Sequence, residues 1–378
     1  MKKPFVFGVA VEEENFVGRS REISMLTNNF KYGVNTILLA PRRMGKTSLV
    51  KRVAKEVQSD EIRIVHLDIF SCRNEYDFLN MFASAVLKQT SSHFEEWMQN
   101  ARDFLSRIVP KVNFSPDLTQ DYSLSLGITP KTHQPEEVLN LPELIAQKKG
   151  IHIVMCIDEF QQVGEFPDSL YVQKRMRSVW QHQGNVSYCL YGSKKNMMTT
   201  LFQQRSKPFY KFGGTMELGT IPVEDWTPYL RRQFASEGRT LYEPLAAKIC
   251  NMVELHSSYV QQLAFNVLIC TPSGETVTED ALSQAYENLL DENTSLFQEK
   301  TENLTSYQLN FIKAIISDIH EDFGKANIRE EYNLGSHSNI TRIKTALIEK
   351  ELIETRRDGI FIADPVMKQW LCSRFCWA

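Results

Sequence analysis

Long hydrophobic runs are missing from this sequence. Its longest apolar segments, such as Ile151–Ile157, fall far short of the roughly 20 residues of a membrane-spanning helix. The first residues contain no apolar segment of secretory length, and Glu12, Glu13 and Glu14 soon follow them. The seven cysteines are scattered and odd in number, so they do not form a disulfide framework. These absences predict a soluble, reduced, cytoplasmic protein.

A large excess of charge of either sign is also absent. The chain carries 43 Lys and Arg against 46 Asp and Glu, a formal net charge of −3. This balance argues against a surface that as a whole binds nucleic acid or an anionic membrane. The chain does have 378 residues, of which 42% are hydrophobic and 24% are charged. That length and composition are typical of two or three folded domains.

Strand and helix patterns alternate in the first 220 residues. Two apolar segments, Ile151–Ile157 and Val186–Tyr191, have the unbroken pattern of strands buried on both faces. Earlier in the chain the predicted elements are a strand, a helix, a second strand and a second helix, at Thr36–Leu39, Ser48–Val57, Ile62–Ile69 and Glu75–Gln89. This alternation predicts an α/β fold in which helices cover a parallel sheet. Alternating residues around a Ser-Pro-Asp turn predict an inserted hairpin at about 111–135.

After about Pro222 the strand signals fade. Helical patterns predict four helices, at Glu224–Ala235, Glu243–Leu255, Ser258–Ile269 and from about Glu279. The last 75 residues predict three helices and a two-stranded hairpin, at Ser306–Ser317, Ile328–Tyr332, Ser338–Lys350, Leu352–Thr355 and Ile360–Ala363. Three helices followed by a hairpin form a winged helix-turn-helix. We therefore expect an α/β core over residues 1–221, a helical lid over 222–295 and a winged helix over 296–378.

The sharpest motif is a loop that follows the first strand and opens a helix. Its residues are Ala40, Pro41, Arg42, Arg43, Met44, Gly45, Lys46 and Thr47. In such a P-loop, backbone N–H groups and the helix N-terminus hold phosphates. Lys46 would reach the β- and γ-phosphates, and the Thr47 hydroxyl would ligate Mg²⁺. A Cβ at Gly45 would block close backbone approach, whereas Ala40, where glycine is usual, is a mild departure.

Two acidic residues, Asp158 and Glu159, end the most apolar strand. Carboxyl ends of parallel strands form the ligand-binding edge of such a sheet. Asp158 would therefore hold Mg²⁺ through water, or else only cap the following segment. Glu159 would act as a general base toward the attacking water. A P-loop followed by this pair predicts a P-loop NTPase that hydrolyses its nucleotide.

Five segments resemble the archaeal-type ATPase family, which belongs to the STAND (signal-transduction ATPase) branch of AAA+ proteins. They are Phe16–Arg19, Pro41–Ser48, Ile157–Phe160, Tyr191–Ser193 and the run from Ala363 to Trp370. The resemblance covers nearly the whole chain. It implies an ATP-binding α/β domain, a helical lid and a winged helix, with Mg²⁺-ATP bound between core and lid and hydrolysis driving a molecular switch. Adenine as the base is implied by the resemblance alone.

The resemblance also assigns roles to single residues. Phe16, Val17, Gly18 and Arg19 would lie against the adenine, although the same residues can serve as a turn before a helix. Ser48 would join the phosphate loop. Ser193 would be a sensor of the γ-phosphate, or the N-cap of the next helix. One departure from the family pattern is Glu254–Tyr259, where the family's lid commonly has a Gly-x-Pro-type turn, so no role is assigned to His256.

Phosphoryl transfer favours a cation placed on the developing charge. Arg175 and Arg177, on the helix before the strand at 186–191, are candidates for such an arginine finger, and Arg205 is a third. A basic helix face is also an ordinary solvated surface. The sequence does not choose among these three residues, and it does not give the oligomeric state.

The winged helix leaves two classes of partner open. In a DNA-binding version, the exposed candidates are Ser338, Asn339, Arg342 and Lys344 on the helix predicted at Ser338–Lys350, and Arg356 and Arg357 on the wing. Residues 305–378 carry ten basic and ten acidic side chains, which gives a weak electrostatic footprint for duplex DNA. Docking to another protein, or latching onto another part of this chain, is therefore as good an interpretation as DNA binding. The alternative function is a DNA-binding regulator for which the nucleotide is a structural ligand.

The remaining distinctive residues receive ordinary interpretations. Cys372 and Cys376 lack a second pair at zinc-ligand spacing. His66 is expected near the core, and Asp68 near the nucleotide or as a cap. The aromatic side chains of Trp180, Trp226 and Trp370 occur beside aliphatic residues at helical positions and are predicted to lie in the core.

Overall fold

The computed structural model describes residues 3–11, 13–91 and 135–375, so the hairpin predicted at 111–135 lies outside them, apart from its last position. The chain divides into two compact units. The first, here called the sheet unit, comprises Arg19–Gly219. The second, the helical unit, comprises Met1–Gly18 and Thr220–Ala378. Each unit has its own hydrophobic core.

The sheet unit alternates helices and strands. Its described elements are α1 (Ser20–Lys31), β1 (Thr36–Leu39), α2 (Lys46–Val57), β2 (Ile62–Asp68), α3 (Glu75–Thr90), α4 (Pro135–Leu139), α5 (Leu141–Lys149), β3 (His152–Asp158), a 3₁₀ helix (Phe160–Glu165), α6 (Ser169–Trp180), β4 (Val186–Gly192), α7 (Lys195–Gln203) and β5 (Gly214–Glu217). The predicted strands β1 to β4 are confirmed. Helix α2 begins two residues earlier than predicted, and β5 was not predicted.

The five strands form one parallel sheet in the order β2–β3–β4–β1–β5. Strands β3 and β4 are buried along nearly all of their length, which explains their apolar sequences. At the β2 edge, the Gln89 side chain of α3 accepts from the backbone N–H of His66 and donates to its carbonyl, each at 2.8 Å. The side-chain amide therefore satisfies backbone hydrogen-bonding groups of the edge strand that could otherwise pair with another strand. The predicted parallel sheet is confirmed.

The strand order determines which residues meet at the carboxyl edge of the sheet. Strand β4 lies between β1 and β3. The loop that leaves β1 at Ala40, the acids that end β3 and Ser193 after β4 are therefore neighbours. The edge residues Asp68 and Asp158 are register partners on β2 and β3. Residues separated by more than 150 positions in the chain thus form one site.

The helical unit packs around a single core. Its described elements are a 3₁₀ helix (Glu13–Asn15), α8 (Val223–Ser236), α9 (Glu243–Met252), α10 (Ser257–Cys270), α11 (Glu279–Glu302), α12 (Ser306–Ile316), α13 (Ala326–Glu331), α14 (His337–Glu349), β6 (Ile353–Arg356), β7 (Gly359–Ile362) and α15 (Pro365–Phe375). Strands β6 and β7 are antiparallel, as a wing requires. The final helix α15 was not predicted.

The three tryptophans lie in the cores as predicted. Trp180 in the sheet unit and Trp226 in the helical unit are each 2% exposed, and Trp370 is 5% exposed. The Trp370 indole donates to the Thr294 hydroxyl at 3.1 Å, which joins α15 to α11. None of the described helices is both long enough and apolar enough to cross a membrane.

Candidate nucleotide site

The loop between β1 and α2 contains two residues in the left-handed region. Gly45 has φ +87° and Arg43 has φ +59°, whereas Ala40 does not have a positive φ. A Cβ placed on Gly45 would meet no atom of the described residues within 4 Å. Glycine is therefore favoured by its backbone conformation, and the space above it is open to a ligand. Ala40 fits because its own position does not require the left-handed region.

Lys46 is buried at the start of α2 with its amine turned back onto the loop. The side chain is 6% exposed, and Nζ donates to the carbonyls of Ala40 at 3.1 Å and Pro41 at 2.7 Å. Both contacts are to backbone oxygens of the same loop. These two contacts hold the Lys46 amine against the phosphate loop.

Thr47 and Asp158 meet across 111 positions of the chain. The Thr47 hydroxyl donates to Oδ2 of Asp158 at 2.7 Å, and the Glu159 N–H donates to Oδ1 at 2.8 Å. Burial raises the pKa of Asp158 to about 6, against the opposing effect of these hydrogen bonds. The N-cap of the following 3₁₀ helix is Glu159, without a side-chain capping bond, so Asp158 is not the cap of that helix. The pair also presents adjacent hydroxyl and carboxylate oxygens, which is the donor chemistry that Mg²⁺ prefers.

Glu159 has a left-handed backbone, with φ +55°, and its side chain is held by two neighbours. Its Oε2 accepts from the Ser193 hydroxyl at 2.8 Å and from the side-chain amide of Gln161. The N-cap of α7 is Lys194, so Ser193 is not that cap. The structure thus brings Ser193 to the carboxylate predicted to be the base.

The segment Phe16–Arg19 spans the boundary between the two units. In the helical unit, Val17 lies in the core and Phe16 is half-buried. A Cβ on Gly18 would lie 2.6 Å from Oδ2 of Asp225, so a larger residue there would disturb the start of α8. These contacts support the turn interpretation of this segment.

Arg19 lies in the sheet unit and contacts the phosphate loop. Its side chain is 6% exposed, and Nη2 donates to the Met44 carbonyl at 3.1 Å while Nη1 pairs with Glu22 at 3.2 Å. Burial lowers the pKa of Arg19. The guanidinium joins the start of α1 to the loop, a contact that the sequence pattern did not suggest.

The three arginine-finger candidates differ in their contacts. Arg175 pairs with Glu75 at 2.8 Å and Glu136 at 3.1 Å, and its guanidinium lies 4.5 Å from the Tyr171 ring centroid. Its charge therefore stabilises the packing of α6 on α3 and α4. Arg177 lies over the Phe212 ring, 4.9 Å from its centroid. Arg205 is exposed in the segment after α7, and among the three it is the one whose position suits contact with another molecule.

The exposed face of α14 and the wing carry the residues predicted to contact a partner. On α14, Ser338 and Arg342 are exposed, whereas Asn339 and Lys344 are half-buried. Asn339 donates to the Leu334 carbonyl at 2.9 Å and accepts from Arg342 at 3.2 Å. On the wing, Arg356 pairs with Glu354 at 2.6 Å and Arg357 is exposed at the turn.

Comparisons with known proteins concern the winged helix domain and the fold of the chain. A family model described as a probable winged helix domain matches residues 295–373. The chain is similar in structure to a Walker-type ATPase of Pyrococcus abyssi, with a TM-score of 0.70 and 15% identity, over 98% of this chain and 99% of that one. It is also similar to the ORC2 protein of Aeropyrum pernix, solved in ADPNP-ADP complexes, with a TM-score of 0.56 and 14% identity over 97% and 98%.

No protein of curated function matches the sequence. At 14–15% identity the structural likenesses establish the fold. The chain has a P-loop ATPase fold followed by a winged helix domain. The fold expected from the resemblance to archaeal AAA+ ATPases is therefore confirmed.

Proposed function

We propose that this protein binds ATP with Mg²⁺ and hydrolyses it, and that the nucleotide state acts as a molecular switch. The observation that carries the proposal is the contact between Thr47 and Asp158 beside the open loop at Gly45. Hydroxyl and carboxylate oxygens are brought together from α2 and β3 next to a buried lysine. Such a set of groups suits a triphosphate and its divalent cation.

Residues 40–48 would bind the phosphates. The backbone N–H groups at the start of α2 favour negative charge, and Lys46 would exchange its two carbonyl contacts for phosphate oxygens. Thr47 would ligate Mg²⁺ directly and Asp158 would hold it through water. When bound, Mg²⁺ neutralises charge on the β- and γ-phosphates.

Glu159 would serve as the general base. Its carboxylate lies beside Ser193 at the carboxyl edge of the sheet, and Glu159 is half-buried. A carboxylate fixed by hydrogen bonds accepts a proton from water at lower entropic cost than a mobile one. Ser193 would report the state of the phosphate through its hydrogen bond to Glu159.

The test of hydrolysis is E159Q. We expect ATP affinity within about twofold of wild type and loss of turnover, because the amide keeps the shape of the side chain but cannot take the proton. The matched control is E165Q, at an exposed glutamate of the 3₁₀ helix that directly follows Glu159, which should retain turnover. Unchanged turnover in E159Q would remove Glu159 from the mechanism. Measuring the affinities of the same variant for ATP and GTP by calorimetry tests whether adenine is the preferred nucleobase.

The switch part of the proposal is supported by the presence of a P-loop ATPase fold and a winged helix domain in one chain. We expect hydrogen exchange in residues 305–375 to differ between E159Q saturated with ATP and wild type saturated with ADP. Identical exchange in both nucleotide states would contradict a switch that acts on the winged helix.

A DNA-binding regulator is the second candidate function. It is favoured by the exposed Arg342 and Arg357 on a winged helix domain. It predicts salt-dependent affinity for duplex DNA that falls in the triple variant R342A/R356A/R357A. Filter binding at two salt concentrations separates this candidate from the first, because a weak, salt-insensitive signal would contradict it.

A further inference from the structure

Gln161 is a buried polar residue whose amide is directed at Glu159. Its side chain is 2% exposed, and Nε2 donates to Oε2 of Glu159. A carboxylate can only accept hydrogen bonds. The amide nitrogen must therefore face Glu159, which fixes the orientation of the whole amide group.

The other end of that amide is unsatisfied. Oε1 of Gln161 is buried and has no hydrogen-bond donor among the described residues. It points at Gly192, the last residue of β4, where an added Cβ would lie 1.8 Å from Oε1 and 3.0 Å from Cδ. Gly192 does not have a positive φ. Glycine is required there for space, because the Gln161 side chain fills most of that space and the Met198 sulfur lies 3.3 Å from the same Cβ position.

A buried amide with one unsatisfied end lowers stability compared with an apolar side chain of similar size. Packing alone therefore does not explain why glutamine occupies this position. The amide nitrogen and the Ser193 hydroxyl both donate to one oxygen, Oε2, of Glu159. Together they fix the carboxylate and leave its other oxygen, Oε1, as the one that a water molecule can reach.

We propose that Gln161 is a positioning residue for Glu159 and that Gly192 is glycine in order to admit it. This inference rests on the proposed function, in which Glu159 is the general base. Gln161 does not touch the nucleotide in this account. It acts by holding the carboxylate in the orientation that accepts the proton of the attacking water.

The kinetic test uses Q161A, G192A and the double variant. We expect kcat to fall about tenfold in Q161A with KM for ATP unchanged, because only the alignment of the base is lost. G192A should cause a similar loss, since its methyl group displaces the amide. In the Q161A background the same methyl group meets no amide, so the double variant should be no slower than Q161A. Q162A, at the neighbouring half-buried glutamine, is the matched control and should keep the wild-type kcat.

A second measurement needs no activity. In nucleotide-free protein, we expect G192A to lower the midpoint of thermal unfolding by about 3 °C when Gln161 is present. In the Q161A background the shift should be much smaller, because, among the close contacts, only the one to the Met198 sulfur, at 3.3 Å, remains. An equal shift in both backgrounds would show that Gln161 does not fill the space at Gly192 and would overturn the inference, whatever the enzymatic rates.

The outcomes separate this inference from the proposed function. If wild type hydrolyses ATP and E159Q does not, but Q161A has the wild-type kcat or a higher one, the inference is wrong and the proposed function stands. If E159Q retains full turnover, Glu159 is not the base and the inference is wrong, whereas hydrolysis of ATP by the protein stands. A loss in kcat that is additive between Q161A and G192A would also overturn the inference.

Discussion

The phosphate-loop end of the sheet and the exposed face of the winged helix hold their charged side chains in different ways. At the sheet, Lys46, Asp158 and Arg19 are wholly or mostly buried, and each contacts a residue from another element or from the loop itself. On α14 and the wing, Arg342 and Arg356 are exposed and contact residues three and two positions away. The first region fixes its side chains through contacts between distant parts of the chain, whereas the contacts of the second lie within one helix or, for Arg356 over the Phe361 ring, within the wing hairpin.

This difference has an energetic consequence. Interactions in a water-poor site are stronger than those at a surface, because solvent and salt screen exposed charges. The charged side chains at the loop end of the sheet are therefore held firmly by their own protein contacts. Residues 305–378 carry as many acidic as basic side chains, so charge gives this region only a weak attraction for an anionic partner. The predictions below test this contrast.

The largest expected effect is on nucleotide binding by K46A. Loss of a buried cation next to the phosphates should weaken ATP affinity about 100-fold. K51A removes an exposed lysine from the same helix and should change affinity less than about threefold. Isothermal titration with ATP and Mg²⁺ measures both. Equal ATP affinities of K46A and K51A would contradict the expectation that the buried lysine contributes more to ATP binding than the exposed one.

A smaller effect is expected on stability from R175A. The side chain is 13% exposed, and R175A removes its ion pair with Glu75, which is 12% exposed. We expect a loss of about 2 kcal/mol in the free energy of unfolding, with little change in kcat. R205A, at an exposed arginine, should change stability by less than about 0.5 kcal/mol. Urea unfolding measures both, and a stable R175A with low kcat would return Arg175 to the role of arginine finger.

The sequence predicted the sheet better than its edges. Strands β3 and β4 were found because burial on both faces makes them apolar throughout. Strand β5 was missed because Met216 is its one buried residue and its position comes from pairing with β1. A four-residue edge strand held by its neighbour has no periodicity of its own to detect.

The sequence predicted those residues of the candidate site that belong to local motifs. The loop and the Asp158-Glu159 pair are local motifs, so their residues could be named from the sequence. The Arg19 contact with Met44 and the Gln161 contact with Glu159 depend on side-chain directions in the folded chain. A single glutamine after an acidic pair has no spacing rule that distinguishes it from a surface residue, and only its burial beside Gly192 does so.

The smallest expected effect concerns acid stability and compares two histidines. Burial lowers the pKa of His152 on β3, although the carboxylate of Glu143 opposes this, and its Nε2 lies 2.9 Å from the Ser187 hydroxyl. Below the unfolded pKa of about 6.5 the unfolded chain then binds the proton more readily than the folded one. Stability contributed by the neutral ring is present above that pH and is lost as pH falls toward the folded pKa.

H152Q should therefore lose less stability than wild type between pH 7 and pH 5, even if it is less stable at pH 7. The other titrating groups cancel when the two unfolding free energies are subtracted at each pH. The control is H337Q, which removes an imidazole from the exposed face of α14 in the winged helix. Parallel curves for wild type and H152Q would mean that the ring at β3 is solvated like a surface residue, and the contrast between buried and exposed groups would then not extend to β3.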